Sequence, residues 1–129
     1  MGRGTELGRV RGLGSAKHGA QHWLSQRLTA ASNLFLMTWF VIAIARLPGY
    51  DYATVRPWLG SAWVAVPLLL LVVSVFWHFR LGLQVVIEDY GHAETRVALI
   101  FALNFFVVVV ASIAIFSILK IAFTAGMPL

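Results

Sequence analysis

Hydrophobic and polar positions along this chain fall into long blocks. Three apolar blocks, at residues 28–47, 61–86 and 97–119, are separated by short polar stretches. Each is close to or above the roughly 20 residues that an α-helix needs to cross about 30 Å of hydrocarbon. The first block ends at Pro48-Gly49, a pair that stops a helix. Tyr50, Asp51, Tyr52, Arg56, Pro57 and Trp58 then make a short polar and aromatic connection. Pro67 lies one to two turns inside the second block and predicts a kink of the kind lipid-buried helices tolerate. The loop at 88–96 carries most of the acid: Glu88, Asp89 and Glu94. The third block contains Val107-Val108-Val109-Val110, a strand-like run in water. A single apolar segment in lipid must satisfy its own backbone, however, so helix is the expected state there too. The pattern predicts an all-α integral membrane protein with three transmembrane helices, residues 1–129 forming one membrane domain.

Composition supports lipid as the solvent. Of 129 residues, 60% are hydrophobic and 12% charged, with a mean hydropathy of +0.83; a soluble domain this small needs far more polar surface. The lack of cysteine removes disulfides, thiol chemistry and iron–sulfur ligation by this chain. The net charge of +5 is concentrated near the N-terminus, where Arg3, Arg9, Arg11, Lys17 and Arg27 face a single acid, Glu6. That makes it a topology signal before a nucleic-acid one, and no base-stacking aromatics accompany the basic residues. Residues 1–27 form a basic arm, glycine-rich and irregular over 2–14. A short interfacial helix is predicted from about Gln21, with Trp23 at headgroup level.

Cations near the span ends orient the chain. Arg3, Arg9, Arg11, Lys17, Arg27 and Arg96 lie on one side; Arg46, Arg56 and Lys120 lie on the other. This asymmetry predicts an N-terminus on the inner side, in the bacterial cytoplasm or mitochondrial matrix, with Asp89-Tyr90 on the same side. In a bacterial inner (cytoplasmic) membrane the C-terminus would be periplasmic. Ala43-Ile44-Ala45 looks like a signal-cleavage site, but the apolar block is long and Arg46 follows at once, so a retained span is expected.

The residues that could carry chemistry are few. His78 lies deep in the second block, and an imidazole there needs a metal, a proton pathway or a polar side chain as partner. Helical spacing puts Ser74, His78, Gly82, Val85 and Asp89 on one stripe. Gly82 removes a side chain one turn from the histidine, leaving space for something flat or for a close helix. Axial haem ligation would use Nε2, with Nδ1–H held by a backbone or hydroxyl acceptor; the alternative is a histidine bonding across a helix interface. No second histidine lies deep in a span, so a second axial ligand would come from another chain. Tyr90 at the boundary is either a belt aromatic or a donor to a lipid-soluble carbonyl compound such as a quinone. Asp89 beside it is either a solvated helix-end acid or a proton relay. Arg27 either snorkels to phosphates or pairs with a buried carboxylate. Arg80 reads as an interfacial cation near the helix end, and Asn33 and Asn104 as residues of the packed side. His18 and His92 read as exposed. There is no phosphate loop, no Ser/His/Asp set and no zinc spacing.

Taken together these motifs resemble the small hydrophobic membrane-anchor subunits of succinate dehydrogenase, respiratory complex II. The resemblance covers most of the chain: Gly12-Leu13-Gly14-Ser15-Ala16-Lys17, His22-Trp23, Gln26-Arg27-Leu28-Thr29-Ala30, and His78-x3-Gly82-x6-Asp89-Tyr90. The arm is similar to alphaproteobacterial versions. The resemblance implies half of a two-subunit helical bundle around haem b. His78 would be an axial ligand of the haem iron beside Gly82, and Arg27 would contact a propionate. Tyr90, supported by Asp89, would bind ubiquinone. It further implies as partners a second three-helix anchor (cytochrome b subunit), an iron–sulfur subunit and a flavoprotein subunit, with FAD and the iron–sulfur clusters on those partners. No nucleic-acid partner is expected. The rival readings are a fumarate reductase anchor and a small proton-coupled transporter or scaffold without a redox cofactor.

Overall fold

The computed structural model describes residues 19–125. Four helices follow in chain order: α1 (Gly19–Ala45), α2 (Tyr52–Gly60), α3 (Ala62–Tyr90) and α4 (Ala93–Thr124). No strand occurs among the described residues. α1, α3 and α4 are each long and apolar enough to cross a membrane, so the three predicted spans are present. Most of the basic arm lies outside the described residues.

The helices outrun the apolar blocks. α1 starts at Gly19, so the stretch expected to be a separate interfacial helix is continuous with the span. α3 continues through Glu88, Asp89 and Tyr90, and α4 starts at Ala93. The predicted loop at 88–96 therefore shrinks to Gly91-His92. At 1.5 Å per residue, 29 residues reach about 43 Å, past the hydrocarbon and into the headgroups, where polar residues extend a helix at no desolvation cost. Gly91 permits the tight turn: a Cβ there would collide with the Ile87 carbonyl oxygen and crowd Arg96. Glu94 in the first turn of α4 complements the helix dipole. α3 is helical through Pro67, whose missing N–H removes one backbone bond.

The polar connection after the first span is also more ordered than its sequence suggests. Asp51 caps α2, its carboxylate accepting from the Thr54 amide at 3.1 Å and the Thr54 hydroxyl at 2.7 Å. The Thr54 hydroxyl bond holds the Asp51 carboxyl below its ordinary value. The cap is thus intact at neutral pH and is lost as pH falls through that lowered value. α2 sits on the end of α4. Arg56 Nη2 donates to the Thr124 carbonyl at 2.7 Å, satisfying a terminal acceptor of α4, and a Cβ on Gly60 would overlap that of Ala125. Gly60→Val is therefore expected to lift α2 off α4. Faster amide hydrogen exchange over 52–60, with the spans unchanged, would register this.

α3 is the central helix: α1 packs on one side of it and α4 on the other, and α1 and α4 do not pack together. The buried side chains, Ala65, Leu71, Leu81, Leu103, Val107 and Ile118, all belong to α3 and α4. α1 contributes none. Its half-buried stripe toward α3 is His22, Ser25, Gln26, Thr29, Asn33, Leu36 and Phe40, mostly small or polar near the N-terminal end. Small and polar residues let helices approach and bond in lipid, where apolar burial between helices gains little.

Candidate functional site

The α1–α3 seam is built from the stripe that the sequence placed on one face. Thr29 is its hub on α1. Ser74 Oγ donates to the Thr29 carbonyl at 3.4 Å, and Thr29 Oγ1 lies 3.0 Å from His78 Nδ1. One turn further along, Gly82 faces the Gln26 side chain: a Cβ there would meet Gln26 Nε2 at 3.8 Å, an ordinary contact. Ser74, His78 and Gly82 thus zip onto Thr29 and Gln26, and the space beside Gly82 admits a close helix. Val85 and Asp89, further down the predicted stripe, are exposed.

The hydrogen bonds around Thr29 bear on the histidine tautomer. The hydroxyl has one proton, with the Ser25 carbonyl at 2.9 Å and the Gln26 carbonyl at 3.1 Å as backbone acceptors. With the proton so placed, the oxygen accepts from His78 Nδ1–H. In a neutral ring Nε2 then carries the lone pair. The ring lines two adjoining clefts. One, of about 310 Å³, is bounded by Trp23, Gln26, Arg27, Ala30 and His78. The other, of about 570 Å³, adds Asn33, Leu34, Met37, Thr38, Val75 and Phe79. Arg27 and His78 therefore share a cleft, although they lie 51 positions apart in sequence. The Arg27 guanidinium stands 5.4 Å from the Trp23 ring centroid and forms no ion pair among the described residues. Asn33, predicted on the packed side, is half-buried there, its Oδ1 without a partner among the described residues.

These residues fit a haem in donor type: an imidazole held through Nδ1, an Nε2 without a partner among the described residues, an adjoining cleft and a cation on its wall. No cluster of three or more His, Asp or Glu able to hold a bare metal ion occurs among the described residues. Tyr90 and Asp89 are a different case. Both are exposed at the last turn of α3, Tyr90 by 82%, and neither lines the clefts beside His78. Twelve residues of helix put Tyr90 about 18 Å along the axis from His78.

Arg80 departs from its reading as an interfacial cation. It is half-buried, its Nε donating to Asn104 Oδ1 of α4 and its guanidinium 5.8 Å from the Trp77 ring centroid. Asn104 Nδ2 in turn donates to the Ile100 carbonyl at 2.8 Å. The pairing depends on the α3–α4 register, which no spacing in the sequence reveals. Thr29 had a signal: it lies two residues past Arg27, on the face that must meet the histidine stripe.

Comparison with known proteins agrees with this architecture. The profile of the succinate dehydrogenase/fumarate reductase transmembrane subunit matches residues 1–116. Similar proteins include several named succinate dehydrogenase hydrophobic membrane anchor subunit. That of Rickettsia bellii is 34% identical over 103 residues, 79% of this chain and 82% of the relative. That of Rickettsia conorii is 33% identical over 107 residues, 81% and 85% of the two chains. That of Paracoccus denitrificans is 32% identical over 102 residues, 78% and 79%. No solved structure gives a significant match. The chain is a multi-pass membrane protein and belongs to the succinate dehydrogenase/fumarate reductase transmembrane subunit family.

Proposed function

We propose that this chain anchors a succinate:ubiquinone oxidoreductase in the bacterial inner membrane, with its N-terminus cytoplasmic and its C-terminus periplasmic. A second three-helix anchor, the cytochrome b subunit, completes the bundle. The inner side, where six cations near the span ends outnumber three on the other, receives an iron–sulfur subunit and an FAD-bearing flavoprotein subunit. The observation that carries the reading is the Thr29–His78 contact, which holds Nδ1 and leaves Nε2 on a ring lining the Arg27 cleft.

In this proposal His78 would hold haem b through Nε2, Gly82 keeps α1 and α3 close beside it, and Arg27 would meet a propionate. When bound, the haem supplies a centre that holds one electron at a time. Tyr90 donates its phenolic O–H to a carbonyl of ubiquinone, and Asp89 holds a proton beside it. Their exposure in the isolated chain fits a quinone pocket whose remaining walls come from partner subunits. The absence of buried side chains on α1 likewise suits a helix with a further neighbour. Family membership favours the anchor over a small proton-coupled transporter. The choice between succinate oxidation and fumarate reduction rests with cofactor potentials on the partners.

Tyr90→Phe keeps the ring and deletes the donor. Loss of one neutral hydrogen bond, about 0.5–1.5 kcal/mol, is expected to slow quinone reduction about 2- to 13-fold. Succinate oxidation by an artificial dye should persist. Unchanged quinone kinetics would remove Tyr90 from the site.

A further inference from the structure

On the membrane side that carries α2, the cations are engaged unevenly. Arg56 is bonded to the end of α4, and Asp51, the one acid of this connection, is committed to capping α2. Arg46, in the turn that ends α1, is exposed, and its side chain forms no hydrogen bond or ion pair among the described residues. It borders a cleft of about 730 Å³ formed by Thr38, Trp39, Ile42 and Ala43 of α1, the turn through Leu47 and Pro48, and Trp58 of α2.

The order of chemistry along this cleft is that of a lipid. The cation lies where Pro48-Gly49 ends the span, at headgroup depth. Trp39, seven residues earlier, is about 10 Å closer to the bilayer centre, and the apolar wall of Ile42 and Ala43 lies between. Trp58, on α2 beside the span end, offers its indole at the boundary that indoles favour, and an arginine fork matches a phosphate. We propose that the Arg46–Trp39–Trp58 cleft binds one anionic phospholipid of that leaflet, its phosphate on Arg46 and an acyl chain along α1. The occupant is favoured over a soluble anion because most of the wall is apolar, and over a protein segment because charge and depth both match a headgroup.

The test uses the full chain in its purified membrane complex, reconstituted into phosphatidylcholine vesicles. Brominated phosphatidylglycerol or brominated phosphatidylcholine replaces part of the lipid, and tryptophan quenching gives the relative affinity for the two. The wild type is expected to prefer the anionic lipid about fivefold, the effect of one cation near the surface. Arg46→Gln should bring the ratio close to one and Arg46→Lys should retain most of it, while quinone reductase activity stays unchanged in both as a check on assembly. Equal quenching by the two lipids in the wild type, as expected if another subunit covers the cleft, would overturn the proposal. An unaltered preference in Arg46→Gln would do so too, as would abolition of the preference by millimolar inorganic phosphate, which would point to a free-anion site.

Discussion

Replacing His78 by alanine is expected to abolish the b-type haem absorbance of the assembled complex, because the imidazole that would hold the haem is removed and no other deep histidine of this chain can replace it. The structure allows a finer experiment than simple loss. His78 Nδ1 is held by Thr29 Oγ1 at 3.0 Å, so Thr29→Val deletes the acceptor while preserving side-chain shape and the ligand itself. Outer-shell partners of a metal-bound histidine typically contribute about 10–100-fold in affinity, so Thr29→Val should retain a weakened, spectrally shifted haem. Thr29→Ser should restore it. This graded series separates ligation from packing: a histidine that merely joins two helices would change stability in His78→Ala and Thr29→Val, and the spectrum in none of the three. An unaltered spectrum in assembled His78→Ala complex would exclude His78 as a ligand.

The features that the sequence leaves hidden share one cause. The three spans, the Ser74–His78–Gly82 face and the placement of Asn33 and Asn104 at helix contacts followed from hydropathy and helical period. Both are properties of a single helix in a single solvent. Element ends did not follow, since hydropathy marks where lipid stops and helices continue into the headgroups, as α3 does through Glu88, Asp89 and Tyr90. α2 was hidden because its nine residues are polar and aromatic, with Pro57 inside. Its order comes from the Asp51 cap and from contacts to a helix end more than 60 residues away. Pairings between helices were equally hidden. Thr29 with His78 and Arg80 with Asn104 depend on how far two helices slide past each other, and periodicity gives a face but no register. The clefts shared by Arg27 and His78 belong to the same class: the motifs named the residues, and only the seam brought them together.

Asn104→Leu carries the largest expected effect on stability, and it follows from the least legible pairing. Arg80 sits ten residues inside the end of α3, in a span, with no carboxylate bonded to it among the described residues. A central arginine costs roughly 2.5–3.5 kcal/mol to insert. Here Asn104 Oδ1 and the Trp77 ring offset part of that cost, and Val73, Phe76, Val107 and Ala111 line the adjoining cleft of about 310 Å³ with apolar surface. Leucine at 104 would leave the guanidinium facing that apolar wall without its acceptor, a penalty of about 1–3 kcal/mol. Arg80→Leu alone should cost less, because asparagine keeps its bond to the Ile100 carbonyl. The double variant Arg80→Leu/Asn104→Leu should recover most of the loss, since replacing both members of a buried polar pair by apolar residues is often neutral. Thermal unfolding of the detergent-solubilised complex would read all three. The decisive result is the coupling between the two sites: additive losses would mean that the pair contributes no interaction of its own. A strongly destabilised double variant would mean that Arg80 is held by an anion from outside this chain rather than by Asn104.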